Sequence, residues 1–318
     1  MKIVILDAHT TNPGDVSWSE IAEQGELTVY PRSSEAEVLE RIADSEAILI
    51  NKCRITEDVL EHAPKLKYIG MLSTGYDVLD LEAIRQRGIA ATNVPGYSSE
   101  AVAQLTFAHI LEIFNAVGAH NASVQAGEWS RSPDFCYTVG TIHELSGKSL
   151  GLVGFGQIGQ AVAKIALAFG LEVWATHSSQ KTAPELEGKV QFKELEEVLG
   201  ADIVSLHCPL TEKTRDLINR ESLEHFKTGA VLINTARGPL IDSEAVAEAL
   251  KSGKLGACGL DVYTTEPIPE DAPLLGLDNC YITPHIAWAA QESRERLIHL
   301  AAENLAAFRR GEKFNRLD

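Results

Sequence analysis

Three ionisable residues in the second half of the chain each follow a short apolar run. Arg237 comes after 231–234, Glu266 after 257–261, and His285 after 281–283. A guanidinium grips carboxylate and carbonyl oxygens with a planar fork that Lys lacks. An imidazole exchanges protons near neutral pH, and a neighbouring carboxylate favours its charged form. Taken alone, an Arg or Glu after a strand is usually a solvated charge, and a lone His is more often a structural residue. In an open parallel sheet, however, ligands lie outside the carboxyl ends of the strands, so three such tips can converge on one crevice.

A fourth constellation precedes them. Gly154-Phe155-Gly156-Gln157-Ile158-Gly159 follows an apolar run of strand length, and Ile158, Val162, Ile165, Ala166 and Phe169 then recur at helical spacing up to Gly170. This strand, glycine turn and helix is the form of a dinucleotide pyrophosphate site. Gly154 turns the chain out of the strand, Gly156 lets the backbone approach a phosphate, and Gly159 lets the helix pack closely. N–H groups at the helix start would face the anion. His207-Cys208-Pro209, leaving the run at 203–206, should line the same cleft.

The elements that carry these residues alternate. Apolar runs at 3–6, 47–50, 68–72 and 90–94 alternate with amphipathic stretches near 35–42, 57–63 and 81–87, and the alternation resumes after Leu150. A chain of 318 residues, 45% apolar, has material for about two cores. A long helix from Ser99 to about Val117, capped by Ser98 or Ser99 and ended by Gly118, is apolar nearly all round and suits a crossover. A second helix at 291–308 can return the chain to the first unit. The expected fold is α/β, with a Rossmann-type dinucleotide-binding domain (99–286) inserted into a flavodoxin-like substrate domain (1–98 and 287–318).

Net charge of −17 argues against nucleic-acid and anionic-membrane partners. No apolar run approaches the roughly 18 residues of a membrane span. Lys2 leads straight into a strand without a signal-peptide pattern, so a cytoplasmic location is expected. Cys53, Cys136, Cys208, Cys258 and Cys280 are scattered, which argues against a metal site and reads as small buried residues. Residues 119–147, with Trp129, Phe135 and Tyr137, read either as an arm seeking a partner surface or as an ordinary surface loop.

In order and spacing, the glycine motif, Asn234-Thr235-Ala236-Arg237-Gly238, Gly259-Leu260-Asp261-Val262 with Glu266-Pro267, and Thr283-Pro284-His285 resemble the D-isomer-specific 2-hydroxyacid dehydrogenases. Asn51-Lys52, Ser73-Thr74-Gly75-Tyr76-Asp77, Asn93-Val94-Pro95-Gly96-Tyr97 and His285-Ile286-Ala287-Trp288 look like the glyoxylate/hydroxypyruvate reductase (glycerate dehydrogenase) branch. The resemblance implies catalytic roles for Arg237, Glu266 and His285, a substrate-carboxylate site at Ser73, Thr74 and Gly75 together with Arg237, and a homodimer. It also implies cofactor contacts at Gly154, Gly156, Gln157, Ile158, Gly159, Thr235, Ala236, His285 and Ala287, with Asp261 on the nicotinamide carboxamide. The implied reaction is hydride transfer between NAD(P)H and a small 2-keto acid, hydroxypyruvate or glyoxylate first, without metal. Chemically, that reaction needs a carboxylate holder and a proton donor at the carbonyl oxygen, which Arg237 and His285 can supply, with Glu266 favouring imidazolium.

The pattern departs in one place. The second strand of an NAD site usually ends in an acidic residue about 20 residues past the glycines. Here the sequence reads Ala175-Thr176-His177-Ser178-Ser179-Gln180-Lys181. Hydroxyls at Ser178 and Ser179, with His177 and Lys181, suit a 2′-phosphate, so NADP(H) is favoured modestly while NAD(H) stays open. Two alternatives stand beside the main reading: a dinucleotide-sensing corepressor-type binding protein, and a dehydrogenase for another substrate, such as a short phosphoglycerate dehydrogenase. A hydrolase is disfavoured because no nucleophile motif is present.

Overall fold

The computed structural model describes residues 1–177 and 181–318. Its contacts divide the chain into two units, Met1–Ser98 with Trp288–Asp318, and Ser99–Ala287. No single helix among the described residues is long and apolar enough to cross a membrane.

In the first unit, β1 (Lys2–Ile5), β2 (Glu26–Val29), β3 (Ala47–Ile50), β4 (Tyr68–Met71) and β5 (Ala90–Thr92) form a sheet in the order β2-β1-β3-β4-β5. Every pairing is parallel. This is the flavodoxin-like order. β3 and β4 are buried along their whole length, which is why they read as continuous apolar runs. One face packs Ile3, Leu49 and Tyr68 against Leu297, Ala301 and Leu305 of the closing helix, Gln291–Arg309. The other packs Val4, Ile48 and Ile50 against Val38 and Ile42.

The second unit contains β6 (Ser149–Val153), β7 (Glu172–Thr176), β8 (Val190–Lys193), β9 (Ile203–Leu206), β10 (Ala230–Asn234), β11 (Leu255–Leu260) and β12 (Cys280–Ile282). They pair in parallel in the order β12-β11-β10-β9-β6-β7-β8. The order reverses at β6, between β7 and β9, and this switch point is where doubly wound sheets bind nucleotides. Helices Ser99–Asn115 and Gln157–Ala168 cover one face through Phe107, Ile110, Val162 and Ala166. Helix Ser243–Ser252 and the short Leu195–Leu199 cover the other.

Several expectations are corrected. The long helix stops at Asn115, because Ala116 takes a left-handed conformation (φ +47°) and a second helix, Val117–Gln125, begins. Gly118 therefore lies inside a helix, where its N–H donates to the Glu112 carboxylate. Of the five cysteines only Cys258 is buried, and Cys136 is exposed. Edge strands β2 and β8 escaped the reading because they are largely exposed and carry little apolar alternation.

Candidate active site

The glycine turn is built by close approach. Gly154 has φ +102°, and a Cβ there would lie 2.7 Å from the main chain of His207 and Cys208 as they leave β9. A Cβ on Gly159 would sit 2.4 Å from the Gly154 carbonyl oxygen, so the helix can lie against the turn only without a side chain. Gly156 is the helix N-cap with an ordinary φ of −78° and supplies no side-chain cap. The first-turn N–H groups, at the end opened by Gln157 and Ile158, are thus left for an external acceptor. This donor set fits a pyrophosphate.

β7 ends at Thr176, whose Oγ1 accepts the Gly154 N–H at 2.9 Å. His177 stacks on Phe192, with ring centroids 5.5 Å apart, and Phe192 stands edge-on to Phe155. Ser178 and Ser179, expected at the coenzyme ribose, lie outside the described residues. Beyond them, buried Gln160 ties down the chain by donating to the Lys181 carbonyl at 3.1 Å and accepting the Ala183 N–H at 2.8 Å. Across the switch point, His207 Nε2 pairs with Ser205 Oγ at 2.9 Å, and burial pulls its pKa down to about 4, so the ring is neutral at pH 7. Burial pushes the Cys208 thiol up, and the Pro209 carbonyl accepts the Thr214 hydroxyl.

The strand tips beyond β10, β11 and β12 are linked to one another. Fully buried Asn234, last in β10, accepts the Ala236 N–H at 3.0 Å and donates to the Arg237 carbonyl at 2.8 Å, fixing the Thr235-Ala236-Arg237 turn. Arg237 is half-buried, with Nη1 on the Ala236 carbonyl at 2.7 Å. A Cβ on Gly238 would fall 2.0 Å from the Tyr263 carbonyl carbon and oxygen, so the Arg237 loop presses directly on the β11 loop. In that second loop, Glu266 Oε1 accepts the Tyr263 N–H at 3.0 Å, while Oε2 meets His285 Nδ1 at 2.7 Å. The pair is partly open, with 28% of the His285 side chain and 35% of Glu266 exposed. The ring's far nitrogen, Nε2, is the atom left for an external proton acceptor.

His285 holds φ +55°, a region that non-glycine residues enter at some cost, and its N–H donates to the Thr283 carbonyl. Asp261, only 1% exposed, holds this turn. Its Oδ1 accepts Thr283 Oγ1 at 2.6 Å and the Ile286 N–H at 2.8 Å, and its Oδ2 accepts the Ala287 N–H at 2.8 Å. Both carboxylate oxygens are thus already engaged within the chain. The helix Ser99–Asn115 adds buried polar contacts, Thr106 Oγ1 to Thr235 Oγ1 and His109 Nε2 to Thr283 Oγ1, both at 3.1 Å. His109 and Asn234 were missed as site residues. Their only sequence signal is a polar residue in an apolar setting, which periodicity does not interpret.

In the first unit, the Ser73–Gly75 turn follows β4. Ser73 Oγ donates to the Gly75 carbonyl and Thr74 Oγ1 to the Val94 carbonyl, while Asn93 Nδ2 holds the Thr74 carbonyl at 2.7 Å. The hydroxyls are committed, but the main-chain N–H groups of Thr74 and Gly75 have no acceptor among the described residues.

Residues 107–287 match the family model described as D-isomer specific 2-hydroxyacid dehydrogenase, NAD binding domain. A hydroxypyruvate reductase of Blautia hydrogenotrophica is 43% identical over 319 aligned residues, covering 99% of each chain. Among solved structures, a Thermus thermophilus protein is 40% identical with a TM-score of 0.87, covering 100% of both chains. An acyclic imino acid reductase solved with NADPH and D-Arg is 30% identical, also with a TM-score of 0.87 and 100% of both chains covered.

Proposed function

The chain belongs to the D-isomer-specific 2-hydroxyacid dehydrogenases, oxidoreductases with a Rossmann NAD-binding domain, and we propose that it reduces a short 2-keto acid, hydroxypyruvate or glyoxylate, to the D-2-hydroxy acid. The observation that carries this reading is the His285–Glu266 pair, 2.7 Å apart at neighbouring strand tips with the Arg237 loop against it. The 43% identical relative named hydroxypyruvate reductase supports the substrate class.

The nicotinamide dinucleotide, when bound, supplies the hydride. Gly154, Gly156, Gln157, Ile158 and Gly159 would hold its pyrophosphate, with His207, Cys208, Pro209, Thr235, Ala236 and Ala287 along its length. Arg237 would hold the substrate carboxylate and polarise the keto oxygen with its fork of donors. The main-chain N–H groups of Thr74 and Gly75 are further donors of the kind a carboxylate takes. His285 would donate the Nε2 proton to the carbonyl oxygen as negative charge develops there. Glu266, on Nδ1, would orient the ring and leave Nε2 facing the substrate. In the oxidative direction His285 is the base.

β7 ends at Thr176 without a carboxylate, and His177 stacks on Phe192. Acceptance of NADPH beside NADH is part of the proposal. The segment from Val117 to Ile142 exposes Val117, Trp129, Phe135 (88%) and Ile142, an apolar display that supports a homodimer. The reading places the enzyme in the cytoplasm.

Loss of reduced-nicotinamide absorbance, followed with hydroxypyruvate, glyoxylate and 3-phosphohydroxypyruvate, each with NADH and with NADPH, tests the proposal. Turnover should be fastest with an unphosphorylated acid and should occur with both coenzymes. Preference for the phosphorylated acid would make it a phosphoglycerate dehydrogenase. Tight coenzyme binding without turnover would favour the corepressor-type reading.

A further inference from the structure

Helix Ser99–Asn115 is apolar on nearly every side, yet it places an imidazole against the strand tip that carries His285. His109 is 5% exposed, and burial holds its pKa below the ordinary value, with the Asp261 charge opposing this only in part. The ring is therefore neutral at pH 7 and carries a single N–H. The hydrogen bonds settle where it is. Asp261 accepts from the Thr283 hydroxyl at 2.6 Å, so that hydroxyl has spent its one proton and can only accept from His109 Nε2 at 3.1 Å.

The chain of donors then runs one way, from His109 through Thr283 to Asp261. There the carboxylate gathers the N–H groups of Ile286 and Ala287 and so holds the left-handed backbone of His285. Gly259 is part of the same construction. It shows no positive φ, but a Cβ there would come within 2.9 Å of His109 Cβ. The absent side chain is the space His109 occupies, which gives this strand-interior glycine a steric purpose.

We propose that His109 is a positioning residue for the proton-donating turn, acting through Thr283 and Asp261 to fix the main chain that presents His285. The proposal rests on the reading of His285 as proton donor, but its structural half is testable in the protein without coenzyme or substrate.

Amide hydrogen exchange at Ile286 and Ala287 is measured for wild type, His109→Leu, His109→Gln and Thr283→Val, alongside ketoacid reduction. Gln carries an N–H at about the reach of the imidazole Nε2 and is the rescue. Exchange at the two amides should rise by about fivefold in His109→Leu and Thr283→Val, the equivalent of one ordinary hydrogen bond, and return towards wild type in His109→Gln. In the same two variants kcat should fall by about tenfold with little change in coenzyme KM, because a small displacement of His285 affects the reacting geometry more than binding. Thr283→Val, close in shape to the original, keeps the test open if His109→Leu fails to fold. Unchanged exchange in the folded variants, or a His109 ring protonated at Nδ1 alone in nitrogen NMR of the wild type, would overturn the proposal. Wild-type protein that lacks turnover yet shows these exchange changes would instead overturn the catalytic reading and leave the relay standing.

Discussion

At the scale of residues, the proposed chemistry rests on a carboxylate placed beside a ring. Glu266 Oε2 lies 2.7 Å from His285 Nδ1, so replacing it with Gln removes the carboxylate that orients the ring while keeping a polar partner. If His285 is the proton donor, Glu266→Gln should lower kcat for keto-acid reduction by about tenfold or more with little change in coenzyme KM, read from steady-state kinetics. Unchanged kcat would break the pairing. Arg237→Lys keeps the charge but loses the planar fork, and both KM for the keto acid and kcat should worsen by more than about tenfold, since bidentate grip and polarisation go together. The placement of these three residues was legible in the sequence because each follows a strand, and topology then brings neighbouring strand tips together whatever the side chains. Their supports were not legible. His109 lies 152 residues before Asp261 and 174 before Thr283, in contacts that only the folded sheet creates, and no local pattern distinguishes a relay His from any other buried one.

At the scale of elements, glycines decide where the backbone can go. Gly154 brings β6 against the exit of β9, and Gly238 brings the β10 loop against the β11 loop; in both places a Cβ would overlap main chain. Gly154→Ala should weaken coenzyme binding by at least about tenfold, measured by fluorescence titration with NADH, because both a positive φ and a 2.7 Å approach are lost. Equal affinity would remove the turn from the binding site. The strands of the sheet interiors were readable because burial on both faces makes β3, β4, β6 and β9 mostly apolar, with Ser149 and Ser205 the polar exceptions. Edge strands β2 and β8 were not, since an exposed edge needs no such pattern, and the break at Ala116 was not, since alanine carries no signal for a left-handed turn.

At the scale of the whole molecule, stability should report on neutral histidines. The folded pKa of His207 is lowered to about 4 from 6.5. Between these values the unfolded chain binds the proton that the folded ring refuses, so stability is lost as pH falls from about 6.5 towards about 4 and this contribution levels off below. Thermal unfolding midpoints should drop over that window, and His207→Gln, which has no such proton to take up, should flatten the drop. An identical pH dependence in the variant would mean that other groups set it. Strand–helix alternation carried the α/β class of both units, whereas the sheet orders, 2-1-3-4-5 in one unit and a reversal at β6 in the other, each include an exposed edge strand that periodicity did not show.

The proposed role of His285 is to deliver the proton as a keto acid is reduced. It is tested most directly by the rate of hydroxypyruvate-dependent oxidation of reduced coenzyme by His285→Ala, beside wild type, at saturating coenzyme. A loss of about 10²–10⁴ in kcat with coenzyme affinity retained is expected. Wild-type turnover in the variant would contradict it.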